Sequence, residues 1–165
     1  MKHITLIVIL ILLLTSAFAG ATDTAEGPRT CSQCGMDRTV FAHSRMLIVY
    51  ADGTRTGVCS LHCAAAELLH NRDKEARSLL VADYSTKELL DARTTTWVVG
   101  GKKKGVMTAL AKWAFAREED ARRFVEENGG IVSSFGQAME SATLEVMDQA
   151  AEERAAEGEL LRELQ

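Results

Sequence analysis

The sequence has little proline, few aromatic residues and no excess of positive charge. One proline occurs in 165 residues, which excludes a proline-rich linker. Aromatic residues make up 5% of the chain, so a buried core must be built mainly from aliphatic residues and methionine. The formal net charge of −4 argues against a general nucleic-acid binder. Hydrophobic residues at 47% and charged residues at 25% are typical of a globular chain.

The sequence also lacks an apolar run long enough for a membrane-spanning helix, which needs about 20 residues. Its main apolar run, Ile4–Leu14, follows Lys2 and leads to Ala17-Phe18-Ala19. This pattern predicts a secretory signal peptide over residues 1–19, cleaved after Ala19, and therefore export to the periplasm or cell envelope; an uncleaved anchor is the alternative. A flexible leader is predicted over 20–29. No cysteine stands at the predicted cleavage point, so we expect no lipid to be attached there. Proximity to a membrane remains compatible with the predicted export.

The first half of the mature chain is predicted to fold as β-β-α-β. Residues 44–50 are apolar and partly β-branched, and residues 54–59 follow them after Asp52-Gly53, which is typical of a β-hairpin. Ser60 is a favourable N-cap for the next helix. Another apolar segment, 79–84, predicts the strand that completes this half.

The second half shows the same order of elements. Strands are predicted at 94–99, 105–107, 113–116 and 131–135, a helix at 118–128, and a short helical turn within the polar segment 85–93. The prediction is an α+β fold with two β-β-α-β-type halves packed together, about 30–92 and 93–138, and a C-terminal helix.

The C-terminal segment 139–165 is predicted to form an acidic helix. From Met139 onward it has eight acidic residues and only two basic ones, Arg154 and Arg162. We interpret it as a solvated helix resting on the domain, with a partner-docking helix as the alternative.

Four cysteines carry the candidate chemistry. They form a Cys-x-x-Cys pair, Cys31 and Cys34, and a second pair, Cys59 and Cys63. A short hairpin separates the two pairs, so both are expected at one end of the sheet. Thiolate and thioether sulfurs are soft donors that select Cu(I). Met36 would point to the same side as Cys34 if the segment is extended, and so joins the candidate ligands.

Residues outside these two pairs extend the candidate site. Met107 lies at the start of the second half and is a further candidate ligand if the halves face one another, and His62 or His43 is also within reach. Cys63 is predicted at the third position of the helix capped by Ser60. Backbone N–H groups there favour a thiolate, so Cys63 is expected to ionise easily.

Two other functions fit the cysteine pattern. Cys31-x-x-Cys34 has the spacing of a thiol-disulfide oxidoreductase, although a strand-rich segment follows the pair instead of the helix that activates such thiols. The four cysteines could instead hold a structural zinc ion with four sulfur ligands. In an oxidising compartment, disulfides within each pair are a further alternative.

Several short segments together resemble one known family. They are Cys34-Gly35-Met36, Val58-Cys59-Ser60-x-x-Cys63, Trp97-Val98-Val99 and Met107-Thr108. The resemblance is to the NosL-like proteins, accessory factors of nitrous oxide reductase, and it runs over about residues 30–140. It therefore identifies 30–138 as a NosL-like metal-binding domain.

The resemblance implies a function as well as a fold. NosL-like proteins are periplasmic Cu(I)-binding chaperones and not enzymes. They deliver copper to an accepting enzyme such as nitrous oxide reductase, or to a factor that assembles its copper centres. By this resemblance Cys34, Met36 and Met107 are expected to be copper ligands. The family also implies two similar β-β-α-β halves. Its better-known members carry a lipoprotein cysteine, which this chain lacks.

Overall fold

Residues 26–164, which the computed structural model describes, form two antiparallel sheets and three helices. The predicted signal peptide and the first residues of the predicted leader lie outside this part of the chain. The first sheet contains β1 (Met46–Tyr50), β2 (Arg55–Val58), β3 (Ala76–Ala82) and β4 (Leu89–Asp91). The second contains β5 (Thr96–Val99), β6 (Lys112–Phe115) and β7 (Ile131–Ser133). The helices are α1 (Leu61–His70), α2 (Glu118–Asn128) and α3 (Phe135–Glu163).

The two sheets share one topology. Their strand orders are β2-β1-β3-β4 and β6-β5-β7. In each sheet the first strand along the chain lies between the second and the third, and the first sheet has β4 as an additional edge strand. Helix α1 precedes β3 as α2 precedes β7. The predicted α+β fold of two β-β-α-β-type halves with a C-terminal helix is therefore confirmed. No helix within residues 26–164 has the length and apolar character needed to cross a membrane.

The β1–β2 hairpin forms where the sequence predicts it. The Tyr50 N–H donates to the Thr54 carbonyl at 2.9 Å, and Gly53 has a φ of +86°. A side chain in this left-handed conformation would be strained, which explains the glycine after Asp52. The hairpin brings the chain directly from the buried strand β1 back to the start of α1.

The chain before β1 is held by Arg38, a buried residue. Its guanidinium donates to the carbonyls of Met46 and Val58, which lie on β1 and β2. Gly57 makes this possible, because a Cβ at that position would lie 2.5 Å from Nη1 of Arg38. The segment that carries the first cysteine pair is thereby fixed to the first sheet.

Residues 26–29 of the predicted flexible leader belong to the described part of the chain and contact the first sheet. Arg38 also donates to the carbonyls of Glu26 and Pro28, and Arg45 forms an ion pair with Glu26 at 2.8 Å. Residues 26–29 are therefore attached to the first sheet.

Two local predictions are wrong. Residues 105–107 do not form a strand, because Met107 has a φ of +59°, a left-handed conformation that cannot continue an extended chain. The segment 85–93 contains the short strand β4 instead of a helical turn, since Leu89–Asp91 pairs with the edge of β3.

Helix α3 begins at Phe135, earlier than the predicted helix at 139. Ser134 caps it: the Ser134 hydroxyl accepts from the Gln137 N–H, and the Gln137 side chain accepts from the Ser134 N–H. The predicted last strand is shortened accordingly. Buried Ala138 and Ala142 pack α3 on the domain, where it contacts α1 and β5.

Asp83, just after β3, links the two halves. Its carboxylate accepts the N–H groups of Ser85 and Thr86 in its own loop and that of Ala116, which follows β6. Burial raises the pKa of Asp83, but these hydrogen bonds outweigh burial and hold the pKa below its ordinary value. The group is therefore a buried carboxylate that joins the sheets.

We expect Asp83→Asn to destabilise the protein by about 2 kcal/mol near neutral pH, because the amide cannot accept all three N–H groups. A carboxyl group with a lowered pKa stabilises the fold above its unfolded-state value of about 3.9, and this contribution is lost as the pH falls through the folded-state pKa. In urea unfolding at about pH 7, the free energies of unfolding of the variant and the native chain should therefore differ strongly. At about pH 3 the difference should be small.

Asp73→Asn is the matched control, since Asp73 is exposed in the turn after α1. It should change stability by less than about 0.5 kcal/mol. Equal effects of the two variants would contradict the role of Asp83.

Candidate metal centre

The four cysteines converge in space. Their Sγ atoms all lie within 4.8 Å of one another, although they come from two separate segments of the chain. The Sγ atoms of Cys34 and Cys59 are 3.5 Å apart, and those of Cys59 and Cys63 are 3.6 Å apart. We call this group the thiol cluster. Its spacing is suited to a single metal ion bound by several sulfurs.

The start of α1 positions the second cysteine pair. Cys59 follows β2 directly, and Ser60 caps the helix by accepting the Cys63 N–H at 3.4 Å, as the sequence predicts. The Ser44 hydroxyl donates to the Cys59 carbonyl at 2.8 Å. The thiols of Cys59 and Cys63 therefore have a rigid frame of strand end and first helical turn.

A tight turn positions the first pair. The Cys31 N–H donates to the Met36 carbonyl at 2.9 Å, and the Gly35 N–H returns to the Cys31 carbonyl at 3.0 Å. The Ser32 N–H donates to the Gly57 carbonyl at 3.0 Å, which attaches the turn to β2. The turn thus lies against the strand that leads into the second pair.

Glu67 on α1 fastens this turn to the helix. The buried carboxylate accepts hydrogen bonds from Ser32 Oγ, Gln33 Nε2, Tyr50 Oη and Asn71 Nδ2. Burial and the nearby carboxylate raise the pKa of Tyr50 to about 12, so its hydroxyl stays a donor. Sequence reasoning missed Glu67, although its position four residues after Cys63 places both on one helix face.

Protons are unevenly distributed within the thiol cluster. Hydrogen bonds to the Cys59 and Cys63 thiols hold the pKa of Cys31 well below its usual range. The pKa of Cys59 is raised to about 12, first by its hydrogen bond to Cys31 and also by burial, and that of Cys63 is raised for the same reasons. The prediction that Cys63 ionises easily is therefore wrong: proximity to other thiols outweighs the helix N-terminus.

Solvent reaches the thiol cluster at Cys34. Cys34 is half-buried, whereas the other three cysteines are buried. A cavity of about 280 Å³ adjoins Cys34 and is also lined by Gln33, His62, Cys63 and Met107. Met107, at 43% exposure, lies at the solvent side of this group. The structure thus brings Met107 of the second half to the same cavity as Cys34.

The other sequence candidates occupy different places. Met36 is half-buried against the hydrophobic core and does not line the Cys34 cavity, so its role as a ligand stays a prediction. His43 packs between Tyr84 and Trp113, with ring centroids 5.7 and 5.3 Å away. His62 lines the cavity, and burial lowers its pKa, which favours the neutral imidazole.

Fold and site together define a small α+β protein with a four-thiol centre beside an open cavity. The family model described as NosL matches residues 23–143, so the chain belongs to the NosL family, as its sequence motifs indicate. The fold is similar to the crystal structure of the copper chaperone NosL from Shewanella denitrificans, with a TM-score of 0.54 and 21% sequence identity. The match covers 65% of this chain and 87% of that chain. Comparison with curated proteins finds no match.

We expect a thiol reagent such as iodoacetamide to modify Cys34 first in the reduced, metal-free protein, because the other three thiols are buried. Glu67→Ala should release the turn and make Cys31 reactive as well. Mass spectrometry of peptides after timed labelling measures both effects.

Glu75→Ala is the control, since Glu75 is exposed and its side chain forms no hydrogen bond within residues 26–164. It should leave the labelling pattern unchanged. Equal labelling of all four cysteines in the native chain would contradict the described burial.

Proposed function

We propose that this protein is a carrier of Cu(I), not an enzyme, and that the thiol cluster holds the ion. The observation that carries this proposal is the convergence of four cysteine sulfurs within 4.8 Å beside a cavity that also receives Met107. Membership of the NosL family supports copper as the metal. Soft thiolate and thioether donors favour Cu(I) over hard cations such as Mg²⁺ or Ca²⁺.

The protonation of the cysteine thiols supports a site that binds a metal ion. Hydrogen bonds to Cys31 and burial raise the pKa values of Cys59 and Cys63, which favours the protonated form of both thiols before a metal binds. Each thiol that becomes a ligand must lose its proton, because the thiolate is the binding form. Copper uptake therefore releases protons, and affinity for Cu(I) increases with pH.

In this proposal, buried ligands retain the copper ion and accessible ligands take part in its transfer. Cys31, Cys59 and Cys63 are buried and keep the ion away from solvent. Cys34, the half-buried thiol, lines the open cavity, where a sulfur ligand of an acceptor can replace it while the buried thiolates still hold the ion. Met107 lines the same cavity and assists this exchange without being needed for tight binding. Transfer then proceeds by stepwise exchange of ligands, so free Cu(I) is never released.

The sequence and the family support a compartment and an acceptor for this carrier. Residues 1–19 have the pattern of a secretory signal peptide, which supports export to the periplasm or cell envelope. The resemblance to NosL-like proteins supports a copper enzyme, or an assembly factor for one, as the acceptor. We propose the copper centres of nitrous oxide reductase as the destination.

A structural zinc site is the second candidate function. A tetrahedral ion with zinc–sulfur bonds of about 2.3 Å separates its ligands by about 3.8 Å. The distances of 3.5 and 3.6 Å between thiols are close to that value. Zinc would then stabilise the fold without being transferred.

Anaerobic titration of the reduced chain should show about one tightly bound Cu(I) per molecule. Cys59→Ser should weaken binding at least about 100-fold, because Cys59 is next to Cys34 and Cys63 and its loss removes a direct ligand. Competition with a Cu(I) chelator measures the affinity.

The same preparation separates copper from zinc. A carrier stays folded after chelation, whereas a structural zinc protein unfolds when its metal is removed. Circular dichroism before and after chelation distinguishes the two. Loss of the fold, together with zinc in the isolated protein and no tight Cu(I) binding, would contradict the carrier.

Met107→Leu should slow the removal of Cu(I) by an excess of chelator about tenfold, corresponding to about 1.4 kcal/mol of barrier, with little change in affinity. The physical reason is the loss of the exposed sulfur that assists ligand exchange. Met147→Leu is the matched control, since Met147 is 50% exposed on α3 and lines neither the Cys34 cavity nor the neighbouring groove. If both variants behave like the native chain, Met107 has no part in transfer.

A further inference from the structure

Helix α3 forms one wall of the Cys34 cavity. Val146, Gln149, Ala150 and Glu153 line it opposite the cysteine-bearing segments. The buried ammonium of Lys112 holds α3 in this place through an ion pair of 2.7 Å with Glu145. The helix is therefore a fixed part of the entrance to the thiol cluster.

A second groove continues the cavity along α3. It has a volume of about 540 Å³, and its lining combines His62 and Met107 with Asp148, Gln149 and Glu152 of the helix. His62 and Met107 line both spaces. A molecule bound in this groove therefore contacts both Met107 and the acidic side of α3.

The negative charge along this route has no basic partner. Asp148, Glu152 and Glu153 are exposed, and none of them takes part in an ion pair within residues 26–164. Glu153 accepts only a hydrogen bond from Gln149, at 3.2 Å. We call these three carboxylates the acidic rim. These carboxylates line the two spaces that Met107 also lines.

The wall shared by the two spaces also has an unsatisfied polar group. His62 is only 9% exposed, and its Nδ1 has no hydrogen-bond partner within residues 26–164. Buried polar atoms without a partner are rare in proteins, so this imidazole is an unusual feature of the wall that the two spaces share. The acidic rim and this histidine are independent features of one groove.

We propose that the acidic rim is the docking surface for a copper-accepting protein whose metal site is surrounded by lysine and arginine. This inference rests on the proposed function, because it assigns a partner chemistry to the same entrance. Charges of opposite sign raise the rate of encounter and fix the orientation of two proteins. Here they would place a soft ligand of the acceptor against Met107 and Cys34.

The test uses two synthetic acceptor peptides that share one pair of cysteine ligands for Cu(I). One peptide carries four flanking lysines and the other four flanking glutamates. The full mature chain is loaded with Cu(I), its copper content is measured, and transfer is followed by quenching of a fluorophore on the peptide. At about 0.1 M salt, where charges act over about 10 Å, the lysine peptide should accept copper about three to ten times faster.

Two double variants with the same net charge show which carboxylates cause the preference for the lysine peptide. Asp148→Asn/Glu152→Gln removes two of the three carboxylates of the acidic rim and should strongly reduce the preference for the lysine peptide. Glu159→Gln/Glu163→Gln should retain it, because residue 159 is about 10 Å further along the helix than residue 152, and residue 163 is more distant still. The preference should also disappear at about 1 M salt, where charges act over about 3 Å.

Three results would overturn the docking surface: equal rates for the two peptides, equal behaviour of the two variants, or a rate independent of peptide concentration. The last result would mean that copper dissociates before it is captured. A chain that cannot be loaded with Cu(I) would overturn the proposed function together with this inference. A loaded chain without charge preference would overturn the docking surface alone.

Discussion

Four thiols held within 4.8 Å of one another are the constraint on which the rest of this structure depends. Thiolates so close together repel one another, and burial adds the cost of removing each charge from water. Crowding and burial therefore favour protonated thiols at Cys59 and Cys63, whose pKa values are raised. A soft cation removes this conflict, since it replaces those protons and neutralises the remaining charge.

Several parts of the fold maintain this crowding. The hairpin brings β2 to the helix cap, Ser60 orders the first turn of α1, and the Glu67 carboxylate fastens the opposite turn. All of these contacts are made by the chain itself, and together they hold the four thiols close to one another.

Local signals in the sequence predicted much of the fold. Asp52-Gly53 and Ser60 act within a few residues, and the hairpin and helix formed as they indicate. The strand β4 escaped prediction because it depends on pairing with β3, a contact between separate segments. The early start of α3 had a local signal, the capping box of Ser134 and Gln137, that composition alone does not reveal.

For the site, the sequence indicated which cysteines would meet but not the contacts that hold them in place. Cysteine spacing indicated that the two pairs would meet, and the structure brings them together. The role of Glu67 depends on donors from three segments, and the place of α3 depends on the Lys112–Glu145 ion pair, so neither follows from spacing. The left-handed backbone of Met107 likewise results from its loop and not from the residue type.

X-ray absorption spectroscopy of the Cu(I)-loaded, reduced chain tests the central claim most directly. The account predicts a first coordination shell that consists only of sulfur, with the thiol cluster as its source. A shell dominated by nitrogen or oxygen would contradict it, because the copper would then be bound somewhere other than among the four cysteines.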